Sequence, residues 1–140
     1  MTLPFVIVVG VDGSADSHRA LSFTADLAQR TGGEAVAVHA LGLLAHVGGK
    51  PVVPPTGYRD EVETKLMNDW SRPLADAKVR YRYIVVDGPP VDVLLHAAAS
   101  QGATVLVVGR RGSGNAIGLP VGSTSQQLVH RSDIPVVVVP

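Results

Sequence analysis

Cysteine is absent from the 140 residues. Its absence excludes a disulfide framework, thiolate catalysis and any zinc or iron–sulfur site built on thiolate ligands. The 12 Lys and Arg residues balance the 12 Asp and Glu residues, and no basic cluster exceeds Arg110–Arg111, so a large electrostatic footprint for duplex nucleic acid is missing. No apolar run approaches the about 20 residues needed to span a bilayer. The sequence therefore predicts a soluble, cytoplasmic protein without a nucleic-acid or membrane partner.

Charge is also scarce, at 17% of residues, against about 25% in a typical soluble domain. Small apolar residues are plentiful instead, and five short apolar runs cover 5–11, 35–41, 79–86, 104–109 and 135–139. Four runs are continuous, which indicates strands buried on both faces of a parallel sheet. The third run alternates between apolar or aromatic residues and arginine, which predicts a strand at a sheet edge.

Helical patterns separate these runs. The predicted helices follow Ser14 as far as Gly32–Gly33, cover 59–76 with a break near Pro73, follow Pro89–Pro90, and begin near Ser123. Such alternation of strands and helices predicts an α/β fold, with a five-stranded parallel doubly wound sheet and helices on both faces. We expect one domain over residues 1–140.

The segment 42–57, GLLAHVGGKPVVPPTG, does not fit a short connection. It is too rich in glycine and proline for a helix and is longer than most connections in compact domains. Two interpretations stay open at this point, a surface loop and a flap over a ligand.

A glycine-rich loop runs from Gly109 to Thr124 and leads from the fourth predicted strand into the last helix. Glycines let backbone N–H groups approach an anion, and a helix N-terminus presents unpaired donors and partial positive charge. The loop lacks the lysine of a P-loop, and Gly112-x-Gly114-x3-Gly118 is one residue too long for the G-x-G-x-x-G dinucleotide fingerprint. The sequence therefore predicts a phosphate site of another type.

The spacing Gly109-x2-Gly112-x9-Gly122-Ser123 matches the G-2x-G-9x-G-[ST] motif of ATP-binding universal stress proteins. The sequence resembles that family over essentially its whole length. VVGVDGS at 7–13 resembles the family's opening strand and turn, GPPVDVLLHAA at 88–98 its third helix start, and DIPVVVVP at 133–140 its last strand. The resemblance implies a Rossmann-like fold of the adenine nucleotide alpha hydrolase type.

The resemblance also implies a nucleotide site made of Gly10, Val11, Asp12, Ala40, Gly109, Arg110, Arg111, Gly112, Ser113, Gly114, Gly122, Ser123 and Thr124. The first two glycines of the motif would let the loop wrap the phosphates and ribose, and 122–124 would hold phosphate oxygens through N–H groups and hydroxyls. Asp12 would accept from a ribose hydroxyl, Gly10 and Val11 would let adenine and ribose approach, and Ala40 would read the adenine edge.

Simpler structural roles remain open for several of these residues. Ser123-Thr-Ser-Gln126 is a capping-box pattern, which by itself would account for Ser123. Asp12 can be a turn residue of the DGS sequence. Arg110 and Arg111 can be solvated loop charges, or one of them can reach a phosphate.

The expected ligand is ATP, with or without Mg²⁺, and the expected function is that of a nucleotide-dependent sensor or switch in a stress response. The histidines show no metal-ligand spacing, and no catalytic residue is predicted, so hydrolysis would be slow at most. A homodimer through Val136–Val139 is expected, because an apolar edge strand is usually covered. The alternatives are a nucleotide-independent dimeric interaction module of the same fold and a weak ATP hydrolase.

Overall fold

The computed structural model describes residues 3–41, 46–47, 50–51, 57–111 and 122–140. The elements in chain order are β1 (Val6–Gly10), α1 (Ala15–Thr31), β2 (Glu34–Ala40), β3 (His46–Val47), β4 (Lys50–Pro51), α2 (Tyr58–Lys65), a π-helical turn (Leu66–Trp70), α3 (Arg72–Asp76), β5 (Arg80–Val86), α4 (Pro90–Ser100), β6 (Val105–Gly109), α5 (Ser123–Arg131) and β7 (Val136–Val139). All five predicted strands are therefore confirmed.

Five strands form one parallel sheet in the order β5-β2-β1-β6-β7, and β3 pairs with β4 in a separate antiparallel pair. The chain moves outward from β1 in one direction through β2 and β5, and then in the other direction through β6 and β7. The strand order thus reverses between β1 and β6, which is the place where open α/β sheets bind ligands. The predicted edge position of the alternating strand, now β5, is confirmed.

Two apolar layers cover the sheet, one on each face. Side chains that alternate along β1 separate them, because Ile7 and Val9 pack with α1 whereas Val6 and Val8 pack with α4. The register places Val8 beside Val36 of β2 and Leu106 of β6, and these three side chains are buried. The continuous apolar runs follow from this double covering, and the predicted doubly wound α/β class is confirmed.

The ends of α1 follow from local sequence. Ser14 is the N-cap, and its hydroxyl accepts a hydrogen bond of 3.1 Å from the Ser17 N–H. Gly32 adopts the left-handed conformation with φ of 68° and ends the helix, as glycine does at low cost. Both predicted ends are confirmed.

The predicted helix over 59–76 is broken, and the break comes earlier than Pro73. A π-helical turn follows α2, and the Ser71 hydroxyl donates 2.6 Å to the Leu66 carbonyl where that turn ends. α3 then begins at Arg72, with Pro73 in its first turn, where a missing N–H costs nothing. The π turn itself had no signal in the sequence, and such turns are frequent at functional sites.

Most of the 42–57 segment lies outside the described residues. The two interpretations of it, a surface loop and a flap over a ligand, therefore fall on residues that the structure does not describe. Among the residues that the structure describes, no helix has the length and apolar character to cross a bilayer.

Candidate functional site

A cleft of about 560 Å³ lies at the carboxyl ends of β1, β2 and β6. The predicted site residues that line it are Gly10, Val11, Asp12, Ala40, Gly109, Arg111, Gly122, Ser123 and Thr124. Arg110 is described but does not line the cleft, and Gly112, Ser113 and Gly114 lie outside the described residues. The fold thus brings together residues from three distant parts of the sequence at the position where the strand order reverses.

The turn between β1 and α1 gives Asp12 a structural role in addition to its place in the cleft. Its Oδ1 accepts a hydrogen bond of 2.9 Å from the Ser14 N–H, which closes an Asx turn. Its own N–H donates to the Ser17 hydroxyl at 3.2 Å. The turn interpretation and the cleft-lining interpretation therefore apply to the same side chain.

The first turn of α5 rules out the capping-box role of Ser123 and engages one of the expected phosphate donors. Gly122 is the N-cap, so Ser123 is the first helical residue and the expected capping box is not formed by it. The Gly122 N–H donates 2.7 Å to the Arg110 carbonyl, and it is therefore engaged within the protein rather than presented to a phosphate. The first N–H that bonds inside the helix belongs to Gln126, which leaves the preceding N–H groups of the turn without an intrahelical partner.

Hydrogen bonds fix both ends of the glycine-rich loop. The Arg110 N–H donates 2.8 Å to the Val139 carbonyl of β7, while the Arg110 carbonyl accepts from Gly122. The Ser125 hydroxyl, which is buried, donates 2.7 Å to the Gly109 carbonyl. Arg110 therefore bonds to both β7 and the start of α5 through its backbone, although it does not line the cleft.

Packing restricts Gly10 and Gly109 to different degrees. A Cβ at Gly109 would lie 2.7 Å from the carbonyl carbon of Asp16, because the start of α1 passes directly over the end of β6. A Cβ at Gly10 would lie 3.1 Å from Leu94 Cδ1. At Gly109 the obstacle is backbone, whereas at Gly10 it is the end of a flexible side chain.

Asp16 contacts the site through Arg111, although no sequence pattern selects it. Its side chain is buried, and its Oδ2 accepts a hydrogen bond of 2.9 Å from the Arg111 N–H, with the Arg111 Nε at 3.9 Å. Arg19 pairs with Oδ1 of the same carboxylate. In sequence, Asp16 resembles an ordinary acidic residue of a first helical turn, and its partner Arg111 is 95 residues away.

Three ring-bearing side chains, Tyr58, Trp70 and His39, also line the cleft. The His39 ring lies 5.3 Å from the Trp70 ring at an angle of 58°. Its Nδ1 is 2.6 Å from the Val11 carbonyl, which can only accept, so Nδ1 carries the proton. A Cβ at Gly13 would lie 2.6 Å from Trp70 Cζ2, so the indole packs directly on the β1–α1 turn.

The cations that line the described part of the cleft are Arg111 and Lys65, and the carboxylates are Asp12 and Glu61. Across the described ranges, no group of three or more His, Asp or Glu side chains is placed to hold a metal ion. Lys65 lies on α2 and not in the glycine-rich loop, so it does not occupy the position of a P-loop lysine.

The universal stress protein family model matches residues 5–140. The chain belongs to the universal stress protein family. Universal stress protein Rv2005c of Mycobacterium tuberculosis is 32% identical over 135 residues, covering 94% of this chain and 44% of that relative. This chain thus spans less than half the length of the curated relatives it matches first. A universal stress protein of Thermus aquaticus is 29% identical over 138 residues, covering 95% of this chain and 96% of the relative.

Solved universal stress proteins have the same fold. One of them, in complex with cAMP, superimposes with a TM-score of 0.72 at 24% identity, and the match covers 99% of this chain and 98% of that protein's chain. The Archaeoglobus fulgidus protein in complex with dAMP gives a TM-score of 0.71 at 23% identity, covering 99% and 100%. At these identities the likeness shows the fold.

Proposed function

We propose that this universal stress protein binds an adenine nucleotide, ATP, in the cleft and acts as a nucleotide-dependent sensor or switch in the cytoplasmic stress response. The observation that carries the proposal is the meeting of the loop ends, the first turn of α5 and Arg111 at the reversal of strand order. Family members in complex with cAMP and dAMP support an adenine nucleotide as the ligand class.

The chemistry of the cleft walls orients the ligand. The start of α5 offers the hydroxyls of Ser123 and Thr124 beside Arg111, and this combination suits phosphate oxygens. The opposite wall has Ala40 at the end of β2 together with the rings of Trp70 and Tyr58, which suit a base. We therefore place the triphosphate at α5 and adenine at β2, with Asp12 between them for the ribose.

Hydrolysis is at most slow in this proposal. Phosphoryl transfer needs a positioned water or base and a means to neutralise charge on the γ-phosphate. The carboxylates that line the described part of the cleft are Asp12, which is held in the Asx turn, and Glu61 on α2. Mg²⁺ bound with ATP would supply charge neutralisation, while the chain itself contributes Arg111 and Lys65.

Ser123→Glu tests the phosphate position without weakening the fold. Ser123 is exposed at the first position of α5, where an added carboxylate interacts favourably with the helix dipole. The same carboxylate would repel a bound triphosphate. We expect calorimetry to show ATP affinity at least about tenfold lower, equivalent to about 1.4 kcal/mol, with an unchanged or higher melting temperature.

Gln126→Glu is the matched control, because it adds the same charge to the same helix at an exposed position that does not line the cleft. It should bind ATP as the parent does. Equal ATP affinity for Ser123→Glu and Gln126→Glu would remove the start of α5 from the nucleotide site.

The half-buried strand β7 favours a second candidate function, a nucleotide-independent interaction module. Its four valines lie at the sheet edge, and β7 pairs only with β6 among the described strands. Mass spectrometry of small molecules released from the purified protein separates the two functions. Released adenine nucleotide supports the first, and a protein that releases none and gives no heat with ATP supports the second.

A further inference from the structure

The buried carboxylate of Asp16 lies beneath the start of the glycine-rich loop. It is 8% exposed, and it contacts the loop through the Arg111 N–H and, at 3.9 Å, the Arg111 guanidinium. Its other oxygen pairs with Arg19, whose Nε donates 3.1 Å to the Pro140 carbonyl. The carboxylate therefore joins the first turn of α1 to the loop and, through Arg19, to the residue after β7.

A negative charge at this place has two opposite consequences for an anionic ligand. As a charge it repels a phosphate, and as a hydrogen-bond acceptor it fixes the backbone that presents Arg111 to that phosphate. Its two arginine partners offset the charge, whereas the Arg111 N–H, among the described residues, donates to Oδ2 alone. The balance favours the acceptor role.

We propose that Asp16 is a positioning residue for the nucleotide phosphates, which it serves by holding Arg111 at the cleft wall. This inference rests on the proposed function, and it adds a residue outside the glycine motif. The close approach of the Asp16 backbone to Gly109 supports it, because a Cβ at Gly109 would lie only 2.7 Å from the Asp16 carbonyl carbon, so the start of α1 packs directly against the strand end that leads into the loop.

The test measures ATP and adenosine binding by calorimetry for Asp16→Ala, Asp16→Asn and the control Asp26→Ala. Asp26 is an exposed carboxylate of the same helix, paired with Arg30 at 2.9 Å. Asp16→Ala should weaken ATP about tenfold or more, since a hydrogen bond to a charged group is lost, and should leave adenosine unchanged. Asp16→Asn should retain most of the ATP affinity, because its amide oxygen can still accept from the Arg111 N–H. Asp26→Ala should match the parent for both ligands.

Hydrogen exchange of the Arg111 amide in the ligand-free protein gives a readout that needs no nucleotide. Asp16→Ala should accelerate exchange at Arg111, and Asp16→Asn should do so less. If the parent binds neither ATP nor adenosine, the proposed function fails, and exchange at Arg111 alone then decides whether Asp16 holds the loop.

Three results would overturn the role of Asp16. In the first, Asp16→Ala binds ATP as tightly as the parent does or more tightly. In the second, Asp16→Ala loses affinity for ATP and for adenosine equally. In the third, the Arg111 amide of Asp16→Ala exchanges at the parent rate. Tighter ATP binding by both Asp16 variants would show that charge repulsion outweighs positioning.

Discussion

Alanine substitution at Gly109 and at Gly10 should have different costs, although both glycines line the same cleft at strand ends. At Gly109 the new Cβ would lie 2.7 Å from the Asp16 carbonyl carbon and 2.8 Å from its oxygen. Ordinary carbon contacts need about 3.5–4.0 Å, so the start of α1 must move by roughly 1 Å. Because backbone cannot rotate away, we place the cost within the upper part of the about 1–3 kcal/mol range for overpacking.

At Gly10 the new Cβ meets the methyl groups of Leu94 at 3.1 and 3.3 Å and Val108 Cγ1 at 3.3 Å. A shift of a few tenths of an ångström in the flexible Leu94 side chain relieves the first two contacts. The loss of unfolded-state freedom on Gly→Ala substitution returns about 0.4–1 kcal/mol, so Gly10→Ala should stay within about 1 kcal/mol of the parent.

Urea unfolding of the ligand-free proteins measures this contrast, with the slope m checked for constancy. A net loss of about 2 kcal/mol for Gly109→Ala corresponds to a melting temperature about 6–8 °C lower in a chain of this size. Equal stability of the two variants would refute the reasoning, since it would mean that α1 yields as easily as a leucine side chain.

Three further predictions test other parts of the molecule. Trp70 is the only tryptophan and lines the cleft, so ATP should change its fluorescence and protect it from acrylamide, and an unchanged spectrum at saturating ATP would place the base elsewhere. Strand pairing through β7 should give a mass by light scattering of twice the 14.6 kDa chain, whereas a monomer at micromolar concentration would contradict it. Thr104→Val removes the 3.1 Å bond from the Val6 N–H and should cost about 1 kcal/mol without changing ATP affinity, as chemical unfolding and calorimetry can check.

The sequence predicted those features that depend on local pattern. Continuous apolar runs gave the strands, Ser14 and Gly32 gave the ends of α1, and the glycine spacing directed attention to the cleft. Each of these depends on residues within about one element of each other, where periodicity and capping chemistry operate.

Features that depend on distant chain segments escaped prediction. The bond from the Arg111 N–H to Asp16 depends on the pairing of β1 with β6. The Gly122 N–H donates to the Arg110 carbonyl, and Arg110 is itself held by the bond from its N–H to Val139 of β7. The capping pattern at Ser123 was misleading, because Gly122 is the N-cap and the helix starts one residue earlier than the pattern predicted. Trp70 entered the cleft through a π turn, for which propensity scales have no signal.

The hydrogen bond between the Arg110 carbonyl and the Gly122 N–H has a consequence for protein engineering. It holds the two ends of the loop together in the folded protein. The residues between the ends therefore do not have to make the contacts that close the loop. A segment of different sequence or length could replace those residues while its ends stayed attached to β7 and α5. The loop is thus a suitable position for grafting new anion-recognition sequences onto an unchanged sheet.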